Sequence, residues 1–254
     1  MHTRETVGTY DWSLRTGGRL DASERRRLVA DLVGVHIGNA AGRLSMLARL
    51  NSGRRAQISP ERLLPPESAL TRAAEDVATR HLPATLLNHS YRTYMFGMAL
   101  GELEQLDVDS ELLFAASMLH DTGLTLATGL DDFTLASARL ASEVADRVGL
   151  STSATGMLQT AITMHHSPRV TRADGTVPYL LSAGAGVDVA GLRSWELPSR
   201  TLPAAVHEHP RYAFKKYFAS AWKDEAARVP QGRARLLGRY GAFTAAIWLA
   251  PFTE

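Results

Sequence analysis

No cysteine occurs among the 254 residues, so disulfides and thiolate metal sites are both excluded. Any metal ion this chain holds is held by nitrogen and oxygen, from His, Asp and Glu. Long apolar runs are missing as well. No stretch reaches the ~18 uninterrupted apolar residues of a membrane span, so no membrane partner is expected. The N-terminus, MHTRETVGTYDWSLRTGG, lacks the apolar segment of a secretory signal, which reads as a cytoplasmic protein. Excess charge of one sign is scarce. The formal net charge of +2 gives no reason to expect a nucleic-acid partner, and the densest basic cluster, Arg25–Arg27, reads as a solvated helix face. Alternating β patterns are nearly absent, and no repeat shows at periods of 20–50 residues.

What is present is helical from end to end, and hydrophobic residues at 45% suffice for a sizeable core, so an all-α fold is expected. Asp21 and Glu24 have capping-box spacing before a run through Leu28, Leu32 and Val35 to Leu50. Gly34, Gly38 and Gly42 recur every fourth residue there, which would let another helix approach closely. Residues 51–68 are rich in turn formers and read as a linker, and a short helix follows over about 67–80. A further helix starts after Pro83 and runs to about Leu103. Asp109 or Ser110 caps the next, which ends near Asp121. Another runs from about Asp132 to Gly149, and SATGMLQTAITMHH forms one that Pro168 stops. VPYLLSAGAGVDVAGL suits a strand or a tightly packed helix, and Pro178 near its start favours the helix. Segments 211–228 and 233–249 read as amphipathic helices parted by Pro230, Gln231 and Gly232. The expected division is an N-terminal helical extension, 1–82, and a helical core with C-terminal helices, 83–254.

Several ionisable side chains fall on apolar faces. His89 shares a face with Leu86, Thr93, Phe96 and Leu100, and His120 stacks with Leu113, Ala116 and Ser117. Asp121 lies one step round, beside Phe114 and Met118. His165 follows Leu158, Ala161 and Ile162, and Asp188 follows Leu181, Gly184 and Ala185. Singly, each has a bland account: a core histidine bonded to a backbone carbonyl, an aspartate that caps a helix or completes an ion pair. Together they are three inward histidines and two inward aspartates with few basic residues on the same faces, Arg92 being the nearest. A divalent cation satisfies such a group at once.

The pattern of a lone His89, the pair His120-Asp121 and a distant Asp188 resembles the H…HD…D signature of the HD-domain superfamily, an all-helical, metal-binding family. The words LLNHSYRTYMFG, LLFAASMLHDTGLT, AITMHHSP, LLSAGAGVDVAGL and RYAFKKYFASAW resemble one branch of it, the cyanamide-hydratase-like proteins. The resemblance implies an HD-domain helical bundle with His89, His120, Asp121 and Asp188 as metal ligands, and places His165 near the metal with His166 beside it. Zinc suits four nitrogen and oxygen ligands, and iron(II) or manganese(II) could occupy the same set.

The implied chemistry is water addition to a small neutral substrate, a cyanamide-like nitrile carbon or related C–N bond. In it a metal-bound water is the nucleophile, Asp121 accepts a proton and His165 relays one. Asn88 and Arg92, flanking His89, are candidates to orient substrate. Where many HD phosphatases read HDIGK this chain reads HDTGL, with Leu124 in the lysine's place, so an HD-type phosphohydrolase acting on a nucleotide or phosphate ester is the alternative. No histidine lies between Asp121 and His165, which disfavours a two-metal site, and Thr134 stands where the branch tends to carry an acid. The apolar run YGAFTAAIWLAPF suits a core or an interface between copies, so a homo-oligomer is a further expectation.

Overall fold

The computed structural model describes residues 6–254, and every regular element among them is helical. A short α1 (Tyr10–Thr16) precedes the long α2 (Ala22–Leu47). Two 3-10 turns, Ser52–Arg54 and Pro60–Leu63, lead into α3 (Ala69–His81), α4 (Ala84–Leu103) and α5 (Ser110–Leu119). Then come the single turn α6 (Gly123–Leu126), α7 (Phe133–Val148), α8 (Thr152–Met164) and, after a 3-10 turn at Arg172–Asp174, α9 (Thr176–Ala190). The chain closes with α10 (Thr201–Glu208), α11 (Phe214–Arg228), α12 (Arg233–Tyr240) and α13 (Phe243–Trp248). No helix among the described residues is long and apolar enough to cross a membrane.

Local chemistry sets the boundaries. Asp21 and Glu24 form the expected capping box, Asp109 and Asp132 cap α5 and α7, and Gly149 ends α7 in the left-handed region. Two short helices, α1 and α10, were not expected from the sequence. The expected helix 233–249 is two, broken where Ala242 takes a φ of +47°.

The centre of the bundle is α4 laid on α9. Gly97 leaves room for the Leu180 carbonyl oxygen, 2.9 Å from where a Cβ would sit, and a Cβ at Gly184 would collide with the Thr93 carbonyl oxygen. This close seating is what the small residues of 177–192 are for, and it fixes that segment as a helix. The glycines of α2 behave differently. Gly42 takes the Trp195 ring, while Gly34 and Gly38 have nothing within 4 Å, so no helix seats on that stripe among the described residues.

The N-terminal helices are joined to the rest by buried contacts. Trp12 is fully buried, donates from Nε1 to Glu24 Oε1 at 3.0 Å, and lies 5.5 Å from the Arg233 guanidinium over its ring. The Asp132 amide bonds to the Gly17 carbonyl and the Leu20 amide to the Gln231 carbonyl, each at 2.9 Å. Through these contacts α1 and α2 fix the position of the loops around α7 and α12.

Candidate metal centre

The chain brings three imidazoles and a carboxylate together at one end of the α4–α9 pair. The apolar sequence of α5 buries that helix from Leu112 onward and delivers His120 and Asp121 at its end. Ser137 of α7 locks this turn, donating to the His120 carbonyl and accepting from the Gly123 amide, both at 2.8 Å. His89 projects from the second turn of α4, and His165 follows the last turn of α8.

Each imidazole has its Nδ1 committed. His120 Nδ1 donates to the Ser117 carbonyl, His165 Nδ1 to the Ile162 carbonyl and His89 Nδ1 to Asp188 Oδ2, all at 2.7 Å. Carbonyl and carboxylate oxygens only accept, so the proton sits on Nδ1 and each Nε2 carries a lone pair. His89 Nε2 and His120 Nε2 are 3.3 Å apart, and they lie 3.5 and 3.4 Å from Asp121 Oδ2. His165 Nε2 lies 3.5 Å from the other oxygen, Oδ1. Asp121 is 1% exposed, and neither of its oxygens receives a hydrogen bond.

Lone pairs facing one another around a buried, unbonded carboxylate are costly without a cation between them. Three ligands about 2.1 Å from one tetrahedral ion stand roughly 3.4 Å apart, the spacing found here. The chemistry and separation of His89, His120 and Asp121 therefore fit a divalent metal, and these three residues form a His-His-Asp cluster of the kind that binds one. Burial works against a charge on Asp121, and only a proton on the facing His120 and His165 nitrogens, or a cation in its place, holds the carboxyl well below the usual range.

Asp188, expected as a fourth ligand, stands outside this cluster. Arg92 grips it with two bonds, Nε to Oδ1 and a terminal nitrogen to Oδ2, both at 2.8 Å. Arg211 adds a bond to Oδ1 at 2.7 Å, and His89 Nδ1 takes the remaining approach to Oδ2. Burial alone would raise its pKa; Arg92, His89 and Arg211 together hold it far below the usual carboxylate range. The physical reason for the difference is that two guanidiniums already neutralise this carboxylate. Its Oδ2 faces His89 Nδ1, the position from which a carboxylate behind a metal-binding imidazole fixes the ring's tautomer and tilt.

The two residues expected to orient substrate are also placed elsewhere. Arg92 is fully buried on Asp188 and on the carbonyls of His209 and Pro210, and Asn88 donates to the Pro210 carbonyl at 2.8 Å. Neither lines the cavity beside the cluster.

That cavity has a volume of about 150 Å³. His89, His120, Asp121 and His165 form one end; Leu32 and Val35 of α2, Val189 of α9, Phe218 and Trp222 of α11 and Phe243 of α13 form much of the rest. No lysine or arginine lines it. Leu124 is absent from its wall and lines a separate surface hollow, so that position does not decide what the cavity accepts. His166 does reach the wall, its ring stacked on Phe133 and edge-on to Trp222, with Nε2 3.5 Å from Asp132 Oδ2. Burial, then the nearby Arg233 charge, push its pKa down to about 4.

Sequence reasoning missed Arg211 and the aromatic wall. Part of the wall was legible: Phe218 and Trp222 recur at four-residue spacing in RYAFKKYFASAW. Arg211 precedes its helix and carried no periodic signal.

Comparison with known proteins agrees with this geometry. Residues 86–204, which carry His89, His120, Asp121, His165 and Asp188, match the family model of the HD domain. The chain thus carries an HD domain over these residues, and its His-His-Asp cluster lies within it. Among curated proteins it is similar to the cyanamide hydratases DDI2 and DDI3 of Saccharomyces cerevisiae. With each it is 26% identical over 181 residues, covering 68% of this chain and 80% of the relative.

Proposed function

We propose that this protein is a hydro-lyase that adds water across the carbon–nitrogen triple bond of a small, uncharged, nitrile-type substrate. The observation that carries the reading is a cavity without a lysine or arginine opening directly onto the Asp121 carboxylate and three imidazole lone pairs. A phosphate ester would need a cation in that wall, and the nearby guanidiniums of Arg92 and Arg211 are spent on Asp188. The likeness to two cyanamide hydratases supports the same choice of reaction.

In this reading His89, His120 and Asp121 hold a divalent ion, with zinc favoured by the tetrahedral spacing of the three ligands. When bound, such an ion lowers the pKa of a coordinated water towards 7 and polarises the substrate. The residues of the chain supply the rest. Asp188 keeps the proton on His89 Nδ1 and so keeps Nε2 available as a ligand. Asp121 Oδ1, the oxygen away from the ligand set, accepts the proton that the nucleophilic water loses. His165 Nε2, 3.5 Å from that oxygen, carries a proton to the substrate nitrogen as it becomes basic. The carbon-lined walls exclude bulk water and leave one aqueous nucleophile in place.

The test is hydration of cyanamide and simple nitriles by metal-loaded protein, read as urea or amide formation, beside phosphate release from a nucleotide panel. Metal-dependent hydration that is lost in His165→Ala, with metal content retained, supports the reading. Phosphate release without hydration overturns it.

A further inference from the structure

The cavity is larger and more apolar than cyanamide requires. A cavity of about 150 Å³ walled by aliphatic and aromatic side chains holds a guest the size of a benzene ring. Cyanamide would leave most of that space empty and would bring an amino group needing hydrogen-bond acceptors. The wall offers few. Trp222 turns its Nε1 away, donating to the Ala234 carbonyl, and so presents carbon. Asn39 Oδ1 is taken by Arg43, and Ser167 Oγ accepts from Arg233. His36 is exposed and marks the mouth rather than the depth. Ser182 and the edge of His166 are the remaining side-chain acceptors beyond the metal cluster.

An aromatic ladder runs outward from the cluster. Phe218 lies 5.7 Å from His89, Trp222 5.8 Å from Phe218, and Phe243 4.4 Å from Trp222, centroid to centroid. Leu32 and Val35 of α2 and Val189 of α9 share the cavity wall with it. A planar or branched apolar group would contact this carbon surface while its reacting group meets the cluster. Except for Val189, these wall residues lie outside the segment 86–204 matched as HD domain. The cluster thus sits on the common domain, and the flanking helices α2, α11 and α13 shape what reaches it.

We infer that the substrate carries an apolar substituent about the size of an aromatic ring on its carbon–nitrogen group: an aryl or branched alkyl nitrile in place of cyanamide. The substituent lies between α2 and the ladder of α11 and α13. This inference rests on the hydratase reading of the same site, and the test separates the two.

Binding and hydration of benzonitrile, isobutyronitrile and cyanamide are measured with metal-loaded protein, by calorimetric titration and by amide or urea formation. Val35→Phe and Ala246→Phe, which fill the cavity from half-buried positions away from the cluster, are measured beside it. The expected result is at least tenfold tighter binding of benzonitrile than of cyanamide. Either variant should cut benzonitrile binding at least tenfold, and cut it more than cyanamide binding. Equal or tighter binding of cyanamide, or benzonitrile binding indifferent to both variants, overturns the inference. Benzonitrile that binds in the variant-sensitive way while no nitrile is hydrated sinks the hydratase reading and still supports the apolar guest. Two variants on different helices guard against one of them failing to fold.

Discussion

Asp121 and Asp188 are both buried aspartates within reach of His89, yet their surroundings give them opposite needs. Asp188 has two guanidiniums and an imidazole N–H; Asp121 has no donor at all. Removing one partner of a buried charge pair costs about 3–5 kcal/mol, because the other charge is left stranded. Arg211→Ala leaves Asp188 its two bonds from Arg92, so it is expected to lower unfolding free energy by less than that, about 1.5–3 kcal/mol for the lost charged hydrogen bond, read from the urea midpoint, whatever the metal content. Asp121→Asn should act the other way round. It should abolish metal uptake, measured by elemental analysis, and leave the metal-free protein as stable as the wild type or more so. A metal-free Asp121→Asn protein several kcal/mol weaker than metal-free wild type would show that the carboxylate has a partner within the chain. The sequence showed both aspartates facing inward but could not separate them. What distinguishes them is Arg211, 23 residues beyond Asp188 in the chain and beside it only in space. The proposed ligands His89, His120 and Asp121 were legible because helical periodicity puts each on an apolar face, where an ionisable group needs a reason.

Among the helices, two glycine patterns looked alike in sequence and turned out to have different surroundings. In α9 and α4, Gly184 and Gly97 let two backbones meet; in α2, Gly34 and Gly38 face open space. Gly184→Ala must push a methyl group onto the Thr93 carbonyl, and overpacking of that kind costs about 1–3 kcal/mol. Because α4 carries His89 and α9 carries Asp188, the same change is expected to weaken metal binding by spreading that pair. Gly34→Ala meets nothing and sits inside a helix, so it should stabilise by about 0.5–1 kcal/mol. Thermal unfolding of the two single variants checks both signs. The longer elements were readable from apolar period and caps, Asp21, Asp109, Asp132 and Gly149 among them. The helices α1 and α10 were not, since seven or eight residues hold too few periods to count. The break at Ala242 is likewise invisible, because alanine gives no sign of a left-handed turn that tertiary packing imposes.

At the scale of the whole molecule the two ends of the chain meet around the α7 cap. Trp12 lies under Arg233, Arg233 bonds Asp132 Oδ2 at 3.1 Å, and Asp132 faces His166 on the cavity wall. This arrangement makes stability depend on pH in a definite direction. His166 is nearly sealed, with neither ring nitrogen hydrogen-bonded, and its folded pKa is about 4 against about 6.5 in an unfolded chain. The unfolded state therefore takes up the proton first as pH falls. The neutral ring's contribution is complete above pH ~6.5 and is lost progressively towards pH ~4, to a total of about 3 kcal/mol. Burial also lowers the pKa of His89 and His165, which lose stability in the same direction and act in wild type and variant alike. Asp132, held well below the usual carboxylate range, stays ionised across this window. His166→Phe keeps a ring between Phe133 and Trp222 and removes the titration. Urea unfolding of the metal-free proteins at pH 7 and pH 4.5 should show the variant losing about 2–3 kcal/mol less than wild type between the two. Equal losses would mean that His166 is solvated or already charged in the folded protein, and that the meeting of the two chain ends does not seal this wall.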